Sequence, residues 1–433
     1  LSAVPQFGYL STAQIAALTT EQVAAMASDD LLALSGAQIA ALQTRSIAAL
    51  DSADFAALTA GFVQNLTTAQ MRAIDTSDIS ALSAGAFGAL SSAQIRALSD
   101  AQLGALGSDQ LRSLSEEQLR GLSTAQLSGL STDDLNTLQA SQFSLLSTAQ
   151  VAGLGSDQMR SLESTDLRAL TGAQVAAITT TNIAALDSAD IAALTADQVG
   201  AMTVAQVRAI ETADLGSLSV SAFGGLTSAQ IGGMGTDQLG ALSSDQLRLL
   251  SADQLVGLTT AQVRALSSDD LNMLTASQFQ ALTTRQIAAL GSDQARSLES
   301  TDLAALSTAQ IRALGDANVT ALDSADMAVL TADQLSGLSS SQLRAIDTAD
   351  VASIRVTSLT GLTSAQIGSL TSDQVGALTS DQLQSLTDPQ LRGLTAAQLA
   401  AISSDDLNTL TGAQFQAFST TQIAGLSSEQ IAS

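Results

Sequence analysis

Apolar and polar residues recur along the chain with a period of eight. From Ala3 onward the sequence divides into 53 octads, covering residues 3–426 without insertion or deletion, and seven residues follow. Position eight is apolar in every octad, position five is Ile, Leu, Val, Met or Phe except at Ala295, and position four is almost always Gln or Asp. Position one is usually Ser, Thr or Asp. The chain is therefore a tandem array of one short unit.

Each octad carries the signals of a helix start. A Ser or Thr followed three residues later by Gln or Asp has the spacing of a capping box, in which each side chain binds the backbone amide of the other residue. Apolar residues at position eight of the preceding octad and at position five have the spacing of a hydrophobic staple. The pattern predicts one short helix of about one and a half turns per octad, restarted at every position one.

Other periodic folds fit the pattern poorly. In one continuous helix, eight residues leave the apolar stripe about 80° out of register per octad, so no apolar face forms. A long coiled coil needs a seven- or eleven-residue repeat, and a β-solenoid needs alternation with a period of two. Since one octad is too small to fold alone, neighbouring octads must cover each other. We predict an all-α solenoid of very short helices, with small residues at position seven allowing close approach and arginines at position six, such as Arg72, facing solvent.

A longer, 136-residue repeat of 17 octads is superposed on the octads. Two sets of phenylalanines follow it, and we expect both to be structural core residues: Phe7, Phe143, Phe279 and Phe415 in one phase, Phe87 and Phe223 in another. We interpret residues 1–433 as one continuous array with blocks at 3–138, 139–274 and 275–410 and a partial fourth block at 411–433. Either 17 octads complete a whole number of superhelical turns, which predicts contacts that recur every block, or a long segment was duplicated without structural meaning.

The amino-acid composition narrows the range of possible functions. The chain has 41 acidic and 16 basic residues and a net charge of −25; all 16 bases are Arg, and His, Cys, Trp and Lys are absent. Without His, Cys or Lys the usual nucleophiles, general bases and zinc or haem ligands are missing, so we expect no enzyme activity and no cofactor. The acidity argues against nucleic acid as a partner. No apolar run reaches the roughly 20 residues of a membrane span, so we expect no membrane insertion.

Paired carboxylates are the remaining candidates for chemistry. Calcium prefers oxygen ligands, and three DSAD octads supply a pair each. The calcium candidates are Asp51, Asp54, Asp187, Asp190, Asp323 and Asp326. The alternative is that these acids cap helix starts and oppose the positive helix end. Arginines at position six are candidates for ion pairs with acids of adjacent turns. Rows of Ser and Thr are candidates for binding ice or carrying O-linked glycans unless they serve as caps.

The octads resemble the LTxxQIxAL-type tandem repeats of large secreted or surface proteins of proteobacteria, which carry adhesin, haemagglutinin-like or haem-utilisation labels. LSTAQIAAL at 10–18 and LTSAQIGSL at 362–370 carry the resemblance. It implies an extracellular scaffold on a bacterial cell surface. We therefore predict a structural protein that forms a rod, self-assembling filament or surface layer. The alternative is an adhesin-type module that presents a repeated face to a protein, glycan or ice ligand.

Overall fold

The computed structural model describes residues 6–433 and is helical throughout that range. It contains one 3-10 helix, Gln6–Tyr9, followed by 53 α-helices of four to six residues, and no strand occurs among the described residues. Each octad supplies one helix, which confirms the predicted all-α array of short helices. Residues 3–5, the first positions of the first octad, lie outside the described range.

The contacts divide the chain into two compact units, unit 1 ending at Gly225 and unit 2 comprising Leu226–Ser433. Unit 1 contains α1 Thr12–Ala16, α2 Thr20–Ala24, α3 Ser28–Leu32, α4 Gly36–Ala41, α5 Thr44–Ile47, α6 Ser52–Ala57, α7 Ala60–Val63, α8 Thr68–Ala73, α9 Thr76–Ala81, α10 Ala84–Phe87, α11 Ser92–Ala97, α12 Asp100–Leu103, α13 Ser108–Arg112, α14 Glu116–Gly121, α15 Thr124–Ser128, α16 Thr132–Asn136, α17 Ala140–Leu145, α18 Thr148–Ala152, α19 Ser156–Ser161, α20 Ser164–Ala169, α21 Gly172–Ala177, α22 Thr180–Ile183, α23 Ser188–Ala193, α24 Ala196–Ala201, α25 Val204–Ala209, α26 Thr212–Leu215 and α27 Val220–Gly224.

Unit 2 contains the remaining helices: α28 Ser228–Gly233, α29 Thr236–Gly240, α30 Ser244–Leu249, α31 Ala252–Gly257, α32 Thr260–Ala265, α33 Ser268–Asn272, α34 Ala276–Ala281, α35 Thr284–Ile287, α36 Ser292–Arg296, α37 Ser300–Ala305, α38 Thr308–Ala313, α39 Asp316–Ala321, α40 Ser324–Val329, α41 Ala332–Gly337, α42 Ser340–Ala345, α43 Thr348–Val351, α44 Val356–Leu359, α45 Ser364–Ser369, α46 Ser372–Gly376, α47 Ser380–Ser385, α48 Asp388–Gly393, α49 Ala396–Ala400, α50 Ser404–Leu407, α51 Gly412–Ala417, α52 Thr420–Ala424 and α53 Ser428–Ala432.

The octad at 91–98 shows why each helix begins and ends where it does. Ser91 is the N-cap, in extended conformation with φ −72° and ψ 158°, and its hydroxyl accepts the amide of Gln94. The Gln94 side chain accepts the amide of Ser91 in return, at 2.8 Å. Leu98 is again extended, with φ −64° and ψ 143°. Two extended residues, at positions eight and one, therefore separate consecutive helices and turn the chain.

The core is built from positions five and eight of the octads. Ile95 and Leu98 are buried, as are their counterparts in almost every other octad. Even Ala295, the small residue at position five, is fully buried. Burial of these side chains against neighbouring octads supplies the apolar stabilisation that a single octad lacks.

Within each unit, a helix packs against the helix three octads further along the chain, as α17 does on α20 and α45 on α48. Side-chain hydrogen bonds also join each octad to the one four octads earlier, over separations of 28 and 31 residues. One superhelical turn therefore takes between three and four octads.

The long sequence repeat fits this winding. Five turns per block of 17 octads give about 3.4 octads per turn, whereas four turns would require more than four octads each and six turns fewer than three. Only five turns per block fall inside the observed range. Contacts between turns recur with the same period. Ser52 donates to Asp78 at 2.6 Å in unit 1, and Ser324 donates to Asp350 at 2.5 Å in unit 2. Because these contacts follow from the local winding and from the repeated residues, duplication of the segment gives them as well, and the whole-turn interpretation stays a prediction.

Small residues at position seven allow the turns to approach closely, as predicted. A Cβ added to Gly121 would lie 2.8 Å from the Ser92 Cβ and 3.0 Å from the Ser92 carbonyl oxygen, one turn earlier. In unit 2, a Cβ added to Gly393 would lie 2.9 Å from the Ser364 Cα. Since real Cβ contacts are longer than this, glycine at position seven allows the backbones of adjacent turns to contact each other.

Candidate functional site

The most regular polar feature of the structure is the row of buried glutamines at position four, here called the glutamine ladder. Gln94 is a typical member: its Oε1 caps its own helix at Ser91, while its Nε2 donates to the carbonyl oxygens of Val63 at 2.7 Å and Leu66 at 2.8 Å. Gln374 does the same in unit 2, donating to Leu343 and Ile346 at 2.8 Å each. Each amide thus caps one octad and binds another four octads away.

The sequence analysis predicted the capping role of position four but missed the second role. One signal was present: Glu satisfies a capping box as well as Gln does, yet Glu never stands at position four. Only an amide can accept from its own N-cap and also donate to a distant carbonyl. The second role explains why Gln predominates over Glu at this position, whereas the octads with Asp at position four lack the donor.

Shorter side chains at position four reach only one of the two carbonyls. Asn182 donates to Leu154 at 2.8 Å, and Asn318 donates to Leu290 at 2.8 Å, each over a separation of 28 residues. Ser46, which occupies the equivalent place one block earlier than Asn182, is buried, and its hydroxyl has no hydrogen-bond partner among the described residues.

The six calcium candidates lie at helix starts, where they act as caps. Asp187 Oδ1 accepts the amides of Ala189 at 2.8 Å and Asp190 at 3.0 Å, and Asp190 Oδ2 accepts the Asp187 amide at 3.3 Å. Asp51 with Asp54, and Asp323 with Asp326, form the same reciprocal pair. Within residues 6–433, no group of three or more acidic side chains is placed to hold a metal ion. Calcium binding at these pairs stays a prediction, whereas their capping role is part of the structure.

Burial and hydroxyl donors set the ionisation of the position-four aspartates in opposite directions. Burial raises the pKa of Asp190 and of Asp326 above the usual value for an aspartate. Hydrogen bonds from the Ser403 and Ser380 hydroxyls, at 2.6 and 2.7 Å, lower the pKa of Asp406. At the same position of the octad, ionisation of the carboxyl group is therefore favoured where hydroxyl groups donate to it and disfavoured where burial dominates.

Several arginines at position six bind backbone carbonyl oxygens. They are exposed, but the Nε of Arg96 donates to the Gly121 carbonyl at 3.0 Å and that of Arg344 to the Ser369 carbonyl at 2.8 Å, each 25 residues downstream. Ion pairing of these arginines with acids of adjacent turns stays a prediction. The observed ion pairs lie within one helix, as in Arg120 with Glu116 at 2.9 Å. The carbonyl contacts have a geometric reason: position six lies over the carbonyl of position seven in the next turn.

A series of exposed acids recurs about once per turn in each unit, and we call these two series the acidic stripes. The unit 1 stripe contains Asp51, Asp75, Asp109, Asp133, Asp157, Asp187 and Glu211; the unit 2 stripe contains Asp245, Asp269, Asp293, Asp323, Asp347, Asp381, Asp405 and Glu429. Successive members are between three and just over four octads apart, close to one turn. Several steps join directly packed helices, such as α6 with α9 and α40 with α43. The acids of adjacent turns also influence each other, since Asp350 contributes to the raised pKa of Asp326.

The phenylalanines of the 17-octad repeat occupy position five. Phe143, Phe279, Phe87 and Phe223 are fully buried. Phe7 and Phe415 are half-buried, and the Phe415 ring packs edge-on against Phe418 with centroids 5.9 Å apart. The four fully buried rings are therefore core residues.

None of the described helices has the length and apolar character needed to cross a bilayer.

Comparison with known proteins identifies the octads. The family model of the ALTTAQ repeat matches residues 23–60, 47–84, 85–116, 159–196, 207–244, 234–268, 265–299, 296–332, 357–388 and 399–433, which together make up well over half of the chain. No curated protein matches the sequence.

Proposed function

Because the chain belongs to the ALTTAQ repeat family, we propose that it is a structural repeat protein whose role is mechanical and geometric. Its coiled array of octads holds other protein segments apart or extends them from the cell surface. Copies of the array assemble into a filament or surface layer. The role needs no catalysis, in keeping with a chain that has no His, Cys or Lys. The resemblance of its octads to repeats of secreted bacterial proteins supports an extracellular location on the cell surface.

The glutamine ladder is the observation that carries this proposal. It commits the most regular buried polar side chains to joining turns, from Gln38 bound to Leu10 at 2.7 Å to Gln430 bound to Ile402 at 2.8 Å. Such bonds join successive turns, and each added octad repeats them. A chain built this way is suited to act as a scaffold that keeps a fixed length and shape.

The acidic stripes favour a second candidate, an adhesin-type binding module. They present side chains of one charge at intervals of about one turn, which is the arrangement that a periodic protein or glycan ligand would contact. In this alternative the array works as a dispersed monomer, and its repeated face binds the ligand.

Electron microscopy of the purified chain, with and without EDTA, distinguishes the two candidates. Filaments or sheets of regular width support the assembly proposal, and their loss in EDTA would assign a bridging role to divalent cations. Dispersed particles at all concentrations, together with saturable binding to a glycan or protein array, would favour the binding module. Loss of that binding after substitution of exposed stripe acids such as Asp109 and Asp245 would identify the stripe as the contacting face.

A further inference from the structure

Two largely buried aspartates interrupt the glutamine ladder, and no protein donor among the described residues binds either carboxylate. Asp166 in unit 1 and Asp302 in unit 2 stand at position four, one block apart, and each is only 4% exposed. Within residues 6–433 neither carboxylate accepts a hydrogen bond, and their N-caps, Glu163 and Glu299, make no side-chain cap. Partial burial without a protein donor disfavours the charged form of a carboxyl group, so the protonation state of these two aspartates matters.

The structure contains the amide counterpart of each aspartate. Asn182 and Asn318, two octads further along, donate to carbonyl oxygens 28 residues upstream at 2.8 Å. A protonated carboxyl has nearly the shape of that amide and carries one donor, whereas an ionised one carries none. The matching acceptors are the carbonyl oxygens of Leu138 for Asp166 and of Leu274 for Asp302.

The surrounding charges also disfavour ionisation. α20 packs against α17, which carries no charge, and against α23 with Asp187 and Asp190; Asp133 and Asp134 lie in the octad of the acceptor. On α20 itself the one base, Arg168, donates to the Ala193 carbonyl at 3.2 Å.

Asp302 has the corresponding neighbours. α37 packs on the uncharged α34 and on α40, and it carries no base of its own; the acids of α40 and of the acceptor octad are Asp323, Asp326, Asp269 and Asp270. Burial, and then the neighbouring Glu163 or Glu299, raise the pKa of Asp166 and of Asp302 to about 6.

We propose that Asp166 and Asp302 are proton-controlled links of the ladder. In the protonated state each carboxyl donates to the carbonyl oxygen four octads upstream and joins two turns, as Asn182 does. In the ionised state two acceptors face each other and the link is open. Mild acidification therefore tightens the array at one point in each compact unit.

The direction of the pH dependence follows from the raised pKa. A carboxyl that binds its proton more tightly when folded stabilises the fold fully below the unfolded pKa, and that stabilisation is lost as pH rises through the folded pKa of about 6. Resistance to unfolding should therefore increase as pH falls from about 7.5 to about 5.

Urea unfolding of the full chain at both pH values tests the proposal, using the double variant Asp166→Asn/Asp302→Asn. The variant should unfold at a higher urea midpoint than the parent at pH 7.5, and its midpoint shift between the two pH values should be smaller. The matched control is Asp109→Asn/Asp245→Asn, which removes one exposed acid from each unit and should keep the parent's shift.

Three outcomes would overturn the proposal. The double asparagine variant could keep the full pH shift, or it could unfold more readily than the parent at pH 7.5. Calcium chloride at pH 7.5 could stabilise the parent but not the variant, which would assign the two sites to a cation in place of a proton.

Discussion

At the scale of single residues, the fold depends on what stands at position four. Gln meets all its hydrogen-bonding needs there, since it caps its own helix and donates to two distant carbonyls. Asn and Ser keep one distant donation, as at Asn182 and Ser358. Ser46 makes none and leaves a buried hydroxyl unpaired. Residue choices at this position should therefore have measurable effects on stability.

Ser46→Asn should stabilise unit 1. The new amide would occupy the place of Asn182 one block later and donate to the Leu18 carbonyl, the counterpart of the Leu154 carbonyl that Asn182 binds at 2.8 Å. Satisfying a buried polar group contributes about 1–3 kcal/mol. Thermal or urea unfolding measures the gain, and an unchanged or lower midpoint would show that Ser46 is already satisfied or that the site cannot hold the larger side chain.

At the scale of the helix, an octad has little stability of its own and depends on its two kinds of neighbour. Apolar side chains at positions five and eight pack it against the helix three octads away, and the glutamine ladder fixes it to the octad four away. Helices of four to six residues are too short to persist in isolation. Two classes of substitution separate these contributions.

Gln374→Met tests the ladder in unit 2. Met keeps the volume of the side chain, but it leaves the carbonyl oxygens of Leu343 and Ile346 without their donor and the Thr371 amide without its acceptor. We expect a loss of about 2–3 kcal/mol in the free energy of unfolding. Gln280→Met, at an exposed position six in the same unit, is the control and should change it by less than about 0.5 kcal/mol. Equal effects of the two changes would refute a special role for the ladder.

Gly393→Ala and Gly240→Ala test the close approach of turns. Gly393 ends α48 where an added Cβ would collide with the Ser364 backbone, so its substitution should destabilise unit 2 by about 1–3 kcal/mol. Gly240 ends α29 with no atom within 4 Å of an added Cβ, so alanine there should stabilise by up to about 1 kcal/mol through helix propensity. Chemical denaturation of the two variants should give shifts of opposite sign. Stabilisation by Gly393→Ala as well would mean that position seven tolerates a wider spacing.

At the scale of the whole molecule, some features can be predicted from the sequence alone. Others can be predicted only when the number of octads per turn is known. The capping box could be predicted because its partners, such as Ser91 and Gln94, are three residues apart. The carbonyls that Gln94 binds could not, because they lie 28 and 31 residues away and their identity depends on the number of octads per turn. For the same reason Arg96 could be placed on the surface, but its bond to Gly121 could not be predicted. The acidic stripes likewise emerge only once the number of octads per turn is known.

The central claim is that the chain coils with between three and four octads per turn, and a designed disulfide tests it most directly. A Cβ added to Gly376 lies 3.9 Å from the Ala401 Cβ, within the range for a disulfide, although the two residues are 25 positions apart. The same Cβ lies 2.9 Å from the Ala401 carbonyl oxygen, so the backbone must shift slightly to hold the bridge. In one continuous helix Gly376 and Ala401 would be about 37 Å apart. The natural chain has no Cys, so the engineered pair is the only one that can form.

The measurement is mass spectrometry of the monomer after mild oxidation of Gly376→Cys/Ala401→Cys. The control, Gly376→Cys/Gly412→Cys, places the second thiol about a third of a turn away. We predict rapid intramolecular disulfide formation in the first variant and free thiols in the second. Free thiols in the first variant, or equally fast oxidation of both, would contradict the winding and with it the account of the ladder, the stripes and the proton-controlled links.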